Sequence, residues 1–138
     1  MRKDHNHYNM FVEVAEDCPV TAGQIPVAKD ETTKTIAVLQ YEMIAEQPYT
    51  YTQEDVLFEV YAHRNNIPVE RREEEREKFF SKGQPCLRTS ALGKRYGWGI
   101  HHNAEGKLAL YAVDSAEYHA LKNDERMKHV RAMRSSRK

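Results

Sequence analysis

Long apolar runs are missing from this sequence. No stretch approaches the roughly 20 apolar residues that a membrane-crossing helix needs, and the mean hydropathy is −0.82. Cysteine is scarce as well, since Cys18 and Cys86 are the whole supply in 138 residues. Two thiols cannot make a disulfide framework, and their spacing does not fit a zinc-type set. The stretch Met1-Arg2-Lys3-Asp4-His5-Asn6-His7 is polar and has no apolar core, so a signal peptide is not expected there. Both thiols are therefore expected to be free, in a reducing, cytoplasmic compartment. Also absent are a phosphate-loop glycine pattern, a nucleophile elbow, an internal repeat and a low-complexity tract. Net charge is zero, with 21 Lys and Arg against 21 Asp and Glu. The pI of about 7.1 lies below the basic footprint usual for a nucleic-acid-binding domain.

What is present suits one globular domain. The length is near the common domain size, and 40% hydrophobic with 30% charged residues supports a buried core without staples. The charges are segregated. Residues 42–77 carry 4 basic and 10 acidic groups, residues 78–113 carry 6 and 1, and residues 122–138 carry 7 and 2. Either the basic segments pair with the acidic middle, or they face an anion together.

Residues 1–7 read as a flexible terminus. Tyr8, Met10, Val12 and Val14 alternate with polar Asn9 and Glu13, which gives a half-buried strand over 8–14. Residues 16–34, punctuated by Pro19, Gly23 and Pro26, form a long irregular connection. Ile36, Leu39, Gln40, Met43 and Ile44 recur at helical spacing ahead of Pro48. Thr52 and Asp55 resemble a capping box opening a helix with Val56, Leu57, Val60 and Tyr61 on one face. A charged third helix runs over 69–81 and closes at Gly83. Ser90 caps a short turn through Lys94.

Residues 96–102 and 107–113 flank Asn103-Ala104-Glu105-Gly106, which makes a hairpin about a type I turn whose last residue needs positive φ. Asp114, with Glu117 three residues on, is expected to cap a helix. A last helix is expected from about Asp124, with Met127, Val130 and Met133 as its stripe. The reading is a single α+β domain over 8–134: a small antiparallel sheet, made of the hairpin at about 96–113 and the strand at 8–14, covered by helices. Residues 135–138 form a basic tail.

The densest chemistry lies at Lys94-Arg95-Tyr96-Gly97-Trp98-Gly99-Ile100-His101-His102, with Arg88 just upstream. Cations beside Tyr96 and Trp98 suit an anionic or aromatic ligand. The plainer account makes Trp98 and Ile100 core, Gly99 room for them, and the cations solvated. Adjacent His101 and His102 point to opposite faces of a regular strand and cannot easily share a metal. His5 and His7 share a face near Asp4, but no third and fourth ligand is visible, so no metal site is assigned. Cys86 has Arg88 two positions on and would need His101 or His102 nearby to act as a nucleophile; the plainer account is a small buried hydrophobe. The basic stretch Lys122, Arg126, Lys128, Arg131, Arg134, Arg137 and Lys138 would hold phosphates in a salt-sensitive way, or serve a helix C-terminus.

The strings 11–20 (FVEVAEDCPV), 55–62 (DVLFEVYA), 79–84 (FFSKGQ), 94–102 (KRYGWGIHH) and 131–135 (RAMRS) resemble a bacterial family of small single-domain proteins catalogued as a domain of unknown function. The resemblance covers nearly the whole chain. It implies a stand-alone domain and assigns no activity, cofactor or catalytic residue.

The functional expectation is a non-enzymatic binding or interaction protein. Its site would use Arg88, Lys94 and Arg95 for charge, Tyr96 and Trp98 for stacking and His101 for a titratable hydrogen bond, toward a small anionic ligand or a protein partner. No cofactor and no membrane association are expected. The alternatives are a thiol- or His-dependent enzyme at Cys86, and nucleic-acid binding through a basic C-terminal helix.

Overall fold

A computed structural model describes residues 4–28 and 34–134. The tail at 135–138 lies outside the described residues. Strands β1 (Met10–Glu13), β2 (Trp98–His102), β3 (Leu108–Ala112) and β4 (Lys128–Arg131) form one sheet in the order β3-β2-β1-β4. β1 and β3 flank β2 in antiparallel register, and β4 joins β1 in parallel. Helices α1 (Ile36–Glu46), α2 (Gln53–Arg64), α3 (Arg72–Phe80), α4 (Ala91–Lys94) and α5 (Ala116–Lys122) complete an α+β fold.

Local chemistry places most of these elements. Thr52 accepts from the Asp55 amide while Asp55 accepts from the Thr52 amide, both bonds of the capping box that starts α2. In the hairpin, the Asn103 carboxamide oxygen accepts from the Glu105 and Lys107 amides, and the Gly106 amide closes the turn on the Asn103 carbonyl. Gly106 takes φ +79°, a conformation glycine adopts without steric cost. α5 is capped by Ser115, whose hydroxyl accepts from the Tyr118 amide, and not by Asp114. The Asp114 carboxylate instead accepts from the Gly23 amide and anchors the long connection after β1.

The helix expected from Asp124 is absent, and β4 stands in its place. Met127, Val130 and Met133 suggest a helical stripe, but their burial is not shared. Val130 packs on the core, whereas Met133 is 48% exposed. The Asp124 carboxylate takes the Arg126 amide and guanidinium, which makes a tight local turn. Beyond it, Lys128 donates to Asn9 and Ala132 to Glu13, so the free edge of β1 supplies the backbone partners. Pairing with a waiting edge outweighs weak helical periodicity over so short a segment.

Side chains alternate across the sheet. Met10, Val12, Ile100, Leu108 and Val130 meet α1, α2 and α4 in the main core. On the other face, the Tyr118 ring of α5 meets Phe11 edge-on at 5.1 Å. Gly99 makes that contact possible, because a Cβ there would lie 2.6 Å from the Phe11 ring and 2.7 Å from Tyr118. Gly99 thus makes room for residues behind β2, not for Trp98 and Ile100. Gly97 has φ +80°, and a Cβ would sit 2.8 Å from the Ala22 carbonyl where the connection crosses the start of β2. Residues 4–7 lie along the start of α2. The His5 amide donates to Glu54, the Glu54 amide to Asn6, and buried Gln53 bridges the His5 carbonyl and the Leu87 amide.

Candidate functional site

The residues singled out from the sequence fall into three places. Trp98 and Tyr96 lie against the main core. The Trp98 indole N–H donates to the Gln24 carbonyl at 2.8 Å, and its ring lies 5.4 Å from that of Tyr41. Both aromatics therefore have structural tasks. His101 projects from the opposite face of β2.

Arg88, Lys94 and Arg95 sit on and just beyond the short turn of Leu87–Thr89 and α4. That region is tied to the end of β4. The Arg88 Nε–H donates to the Arg131 carbonyl at 2.7 Å, and the Arg88 carbonyl accepts from the Met133 amide at 2.8 Å. Gly93 lies so near Ala132 that the two Cβ atoms would be 2.9 Å apart. The internal basic segment, which carries Arg88, Lys94 and Arg95, is thereby joined through residues 88 and 93 to residues 131–133 of the terminal one, which carries Arg131 and Arg134. Arg95, Arg131 and Arg134 are exposed, while Arg88 and Lys94 are half-buried. Glu16 lies 3.5 Å from Arg131, with both side chains more than half exposed; such surface pairs are worth little. The acidic middle finds its own partners, since Arg76 meets Asp55 and Arg72 meets Glu59. Among the described residues, the acidic helices thus pair with arginines of their own.

His101 belongs to a separate cluster. Tyr49 follows Pro48 in the turn before α2 and has φ +57°. Its amide donates to the Leu108 carbonyl, and its hydroxyl lies 2.8 Å from His101 Nδ1 and 2.7 Å from the Tyr111 hydroxyl. Burial pushes the Tyr49 phenol up and the His101 imidazole down, the latter opposed by the charge of Asp124. Tyr49 and His101 are therefore neutral near pH 7. No sequence motif marks Tyr49, which reaches His101 through the left-handed turn, or Tyr111, which the hairpin register brings to Tyr49.

His102 points into the main core side with no exposed surface, and neither ring nitrogen has a hydrogen-bond partner. Its nearest ring is His7, edge-on at 5.8 Å. Burial, reinforced by His7 and His101, lowers its pKa to about 3. Cys86 is a half-buried free thiol; neither His102 nitrogen is hydrogen-bonded to it, and His101 Nδ1 is engaged by Tyr49. Among the described residues no group of three His, Cys, Asp or Glu side chains could hold a metal ion.

Two of the cavities on the helical side are walled in part by α1. One, of about 490 Å³, has Glu42, Asp55 and Glu59 in its wall, each paired with a cation. The other, of about 430 Å³, runs between the start of α1, the end of α2 and Phe79. Neither is lined by Arg88, Lys94, Arg95, Tyr96, Trp98 or His101.

Fold and site together define a small α+β protein in which two basic segments meet at one corner and a half-buried Tyr-His-Tyr cluster lies on β2 and β3. The chain belongs to a family of unknown function (DUF6157), whose model matches residues 2–138. No curated protein and no solved structure matches it. No helix is long and apolar enough to cross a membrane among the described residues.

Proposed function

We propose that this protein is a non-enzymatic interaction protein that docks an acidic segment of a partner protein on the corner formed by Arg88, Lys94, Arg95, Arg131 and Arg134. The observation that carries this reading is the pair of bonds from Arg88 to residues 131 and 133, which sets two basic segments side by side. Arg95, Arg131 and Arg134 are exposed and none of the five cations lines either cavity beside α1, which suits a charged chain laid across the surface better than a small molecule held in a pocket. Converging cations raise the local potential and attract acidic groups, with strong dependence on salt. Arg88 holds β4 as well as the partner, so its charge is positioned by the fold.

Fluorescence anisotropy with a labelled oligo-aspartate peptide tests the reading. A single-stranded oligonucleotide of equal charge serves as comparison. Binding of the peptide should weaken with salt and fall about tenfold or more in Lys94→Gln/Arg95→Gln, two rim charges being removed. Tighter binding of the oligonucleotide at matched salt would move the partner class to nucleic acid. Binding of neither, or binding that the double variant leaves unchanged, removes the corner as a site.

A further inference from the structure

The cavity of about 430 Å³ beside the end of α2 is chemically unlike the corner. Its walls are Leu57, Val60, Tyr61 and Phe79, with the Tyr61 and Phe79 rings 4.5 Å apart and tilted by 34°. Ile36 and Tyr61 are among the exposed large hydrophobics of the chain, at 46% and 37%, and both face this opening. The polar floor is satisfied within the protein, because Ser90 donates to Gln40 at 2.6 Å and accepts from the Leu92 amide.

Among the described residues, one charge stands in this apolar wall. Arg64 lines the cavity, and no carboxylate does so among the described residues. The first turn of α1, Ile36 and Ala37, also lines it, and the start of an 11-residue helix carries partial positive charge. The opposite end effect, from the carbonyls closing α2, is reduced because Asn65 donates to Tyr61 through both its amide and its side chain. The volume lies within the range of about 300–1,000 Å³ typical of small-molecule sites. An apolar wall with a lone guanidinium and a helix start matches an apolar body ending in one negative charge.

We infer that this cavity binds a monocarboxylate with an apolar body, its carboxylate held by Arg64 and its body between Tyr61, Phe79 and Leu57. The site shares no residue with the cationic corner, so either can fail alone.

The test uses the full chain, uniformly labelled for two-dimensional NMR, with octanoate and naphthoate as probes and octanol and naphthol as their uncharged counterparts. The acids should produce saturable shifts at Leu57, Tyr61, Phe79 and Ala91. Arg64→Gln should weaken acid binding about tenfold or more, the loss of a charged hydrogen-bonded contact, and leave the alcohols unchanged. Ile36→Glu places a carboxylate at an exposed first-turn position that tolerates it, so the fold is kept while the acids are repelled. The alkyl and aryl probes decide which body fits. Absence of saturable shifts at these residues overturns the inference. So does binding in which acid and alcohol are equally affected by both variants.

Discussion

His102 offers the sharpest energetic test, through replacement by leucine. The ring is fully buried and neither nitrogen has a hydrogen-bond partner, so its polar atoms are desolvated without compensation. An unpaired buried polar group costs about 1–3 kcal/mol, and a near-isosteric apolar replacement in a packed core costs under about 1.5 kcal/mol. His102→Leu should therefore gain about 1 kcal/mol at pH 7.5. The pH dependence sharpens the case. The folded pKa is about 3, against about 6.5 for an unperturbed histidine. Between these values the unfolded chain binds a proton that the folded chain refuses, so stability falls as pH drops below 6.5 and continues to fall toward 3. By linkage that loss reaches about 2 kcal/mol at pH 5 and about 3 kcal/mol at pH 4. The leucine variant lacks it, so its advantage over the parent should widen from about 1 to about 3 kcal/mol between pH 7.5 and pH 5. Urea unfolding followed by Trp98 fluorescence at several pH values measures the difference, and carboxylate titration common to both proteins cancels. A gap that stays constant with pH, or a variant less stable than the parent throughout, would refute the reasoning.

Two other changes probe how the sites are positioned. Gly99→Ala drives a Cβ into Phe11 and Tyr118 and should cost about 1–3 kcal/mol or more, read as a lower urea midpoint; an unchanged midpoint would mean that α5 does not press on β2 there. Thr52→Ala removes the hydroxyl half of the capping box and should cost about 1 kcal/mol, and Thr52→Asp should restore most of it; equal midpoints for all three proteins would show the cap to be idle.

How much of this was legible from residues alone depended on whether the signal was local. The capping box of α2, the Asn103-to-Gly106 turn and the spacing of α1 are short-range chemistry, and each stands where the sequence puts it. The family is likewise the one of unknown function that the strings resemble. β4 was not legible because its partner edge lies more than 100 residues away, and four residues of Lys-His-Val-Arg carry no periodicity of their own. The same long range hid the corner. Arg88, Lys94 and Arg95 were visible as a local cluster, while Arg131 and Arg134 join them only once β4 has paired with β1. Trp98 and His101 looked like neighbours in sequence, yet a strand period of two sends them to opposite sides. Tyr49 reaches His101 through a left-handed turn that no propensity would suggest for tyrosine.

The central claim is that the two basic segments act as one anion-facing corner. Salt-dependent anisotropy of the oligo-aspartate peptide, measured on the parent, on Lys94→Gln/Arg95→Gln and on Arg131→Gln/Arg134→Gln, tests it most directly. Comparable losses from both double variants, each with a shallower salt dependence, are the predicted result. A loss confined to one pair, or none from either, would contradict it.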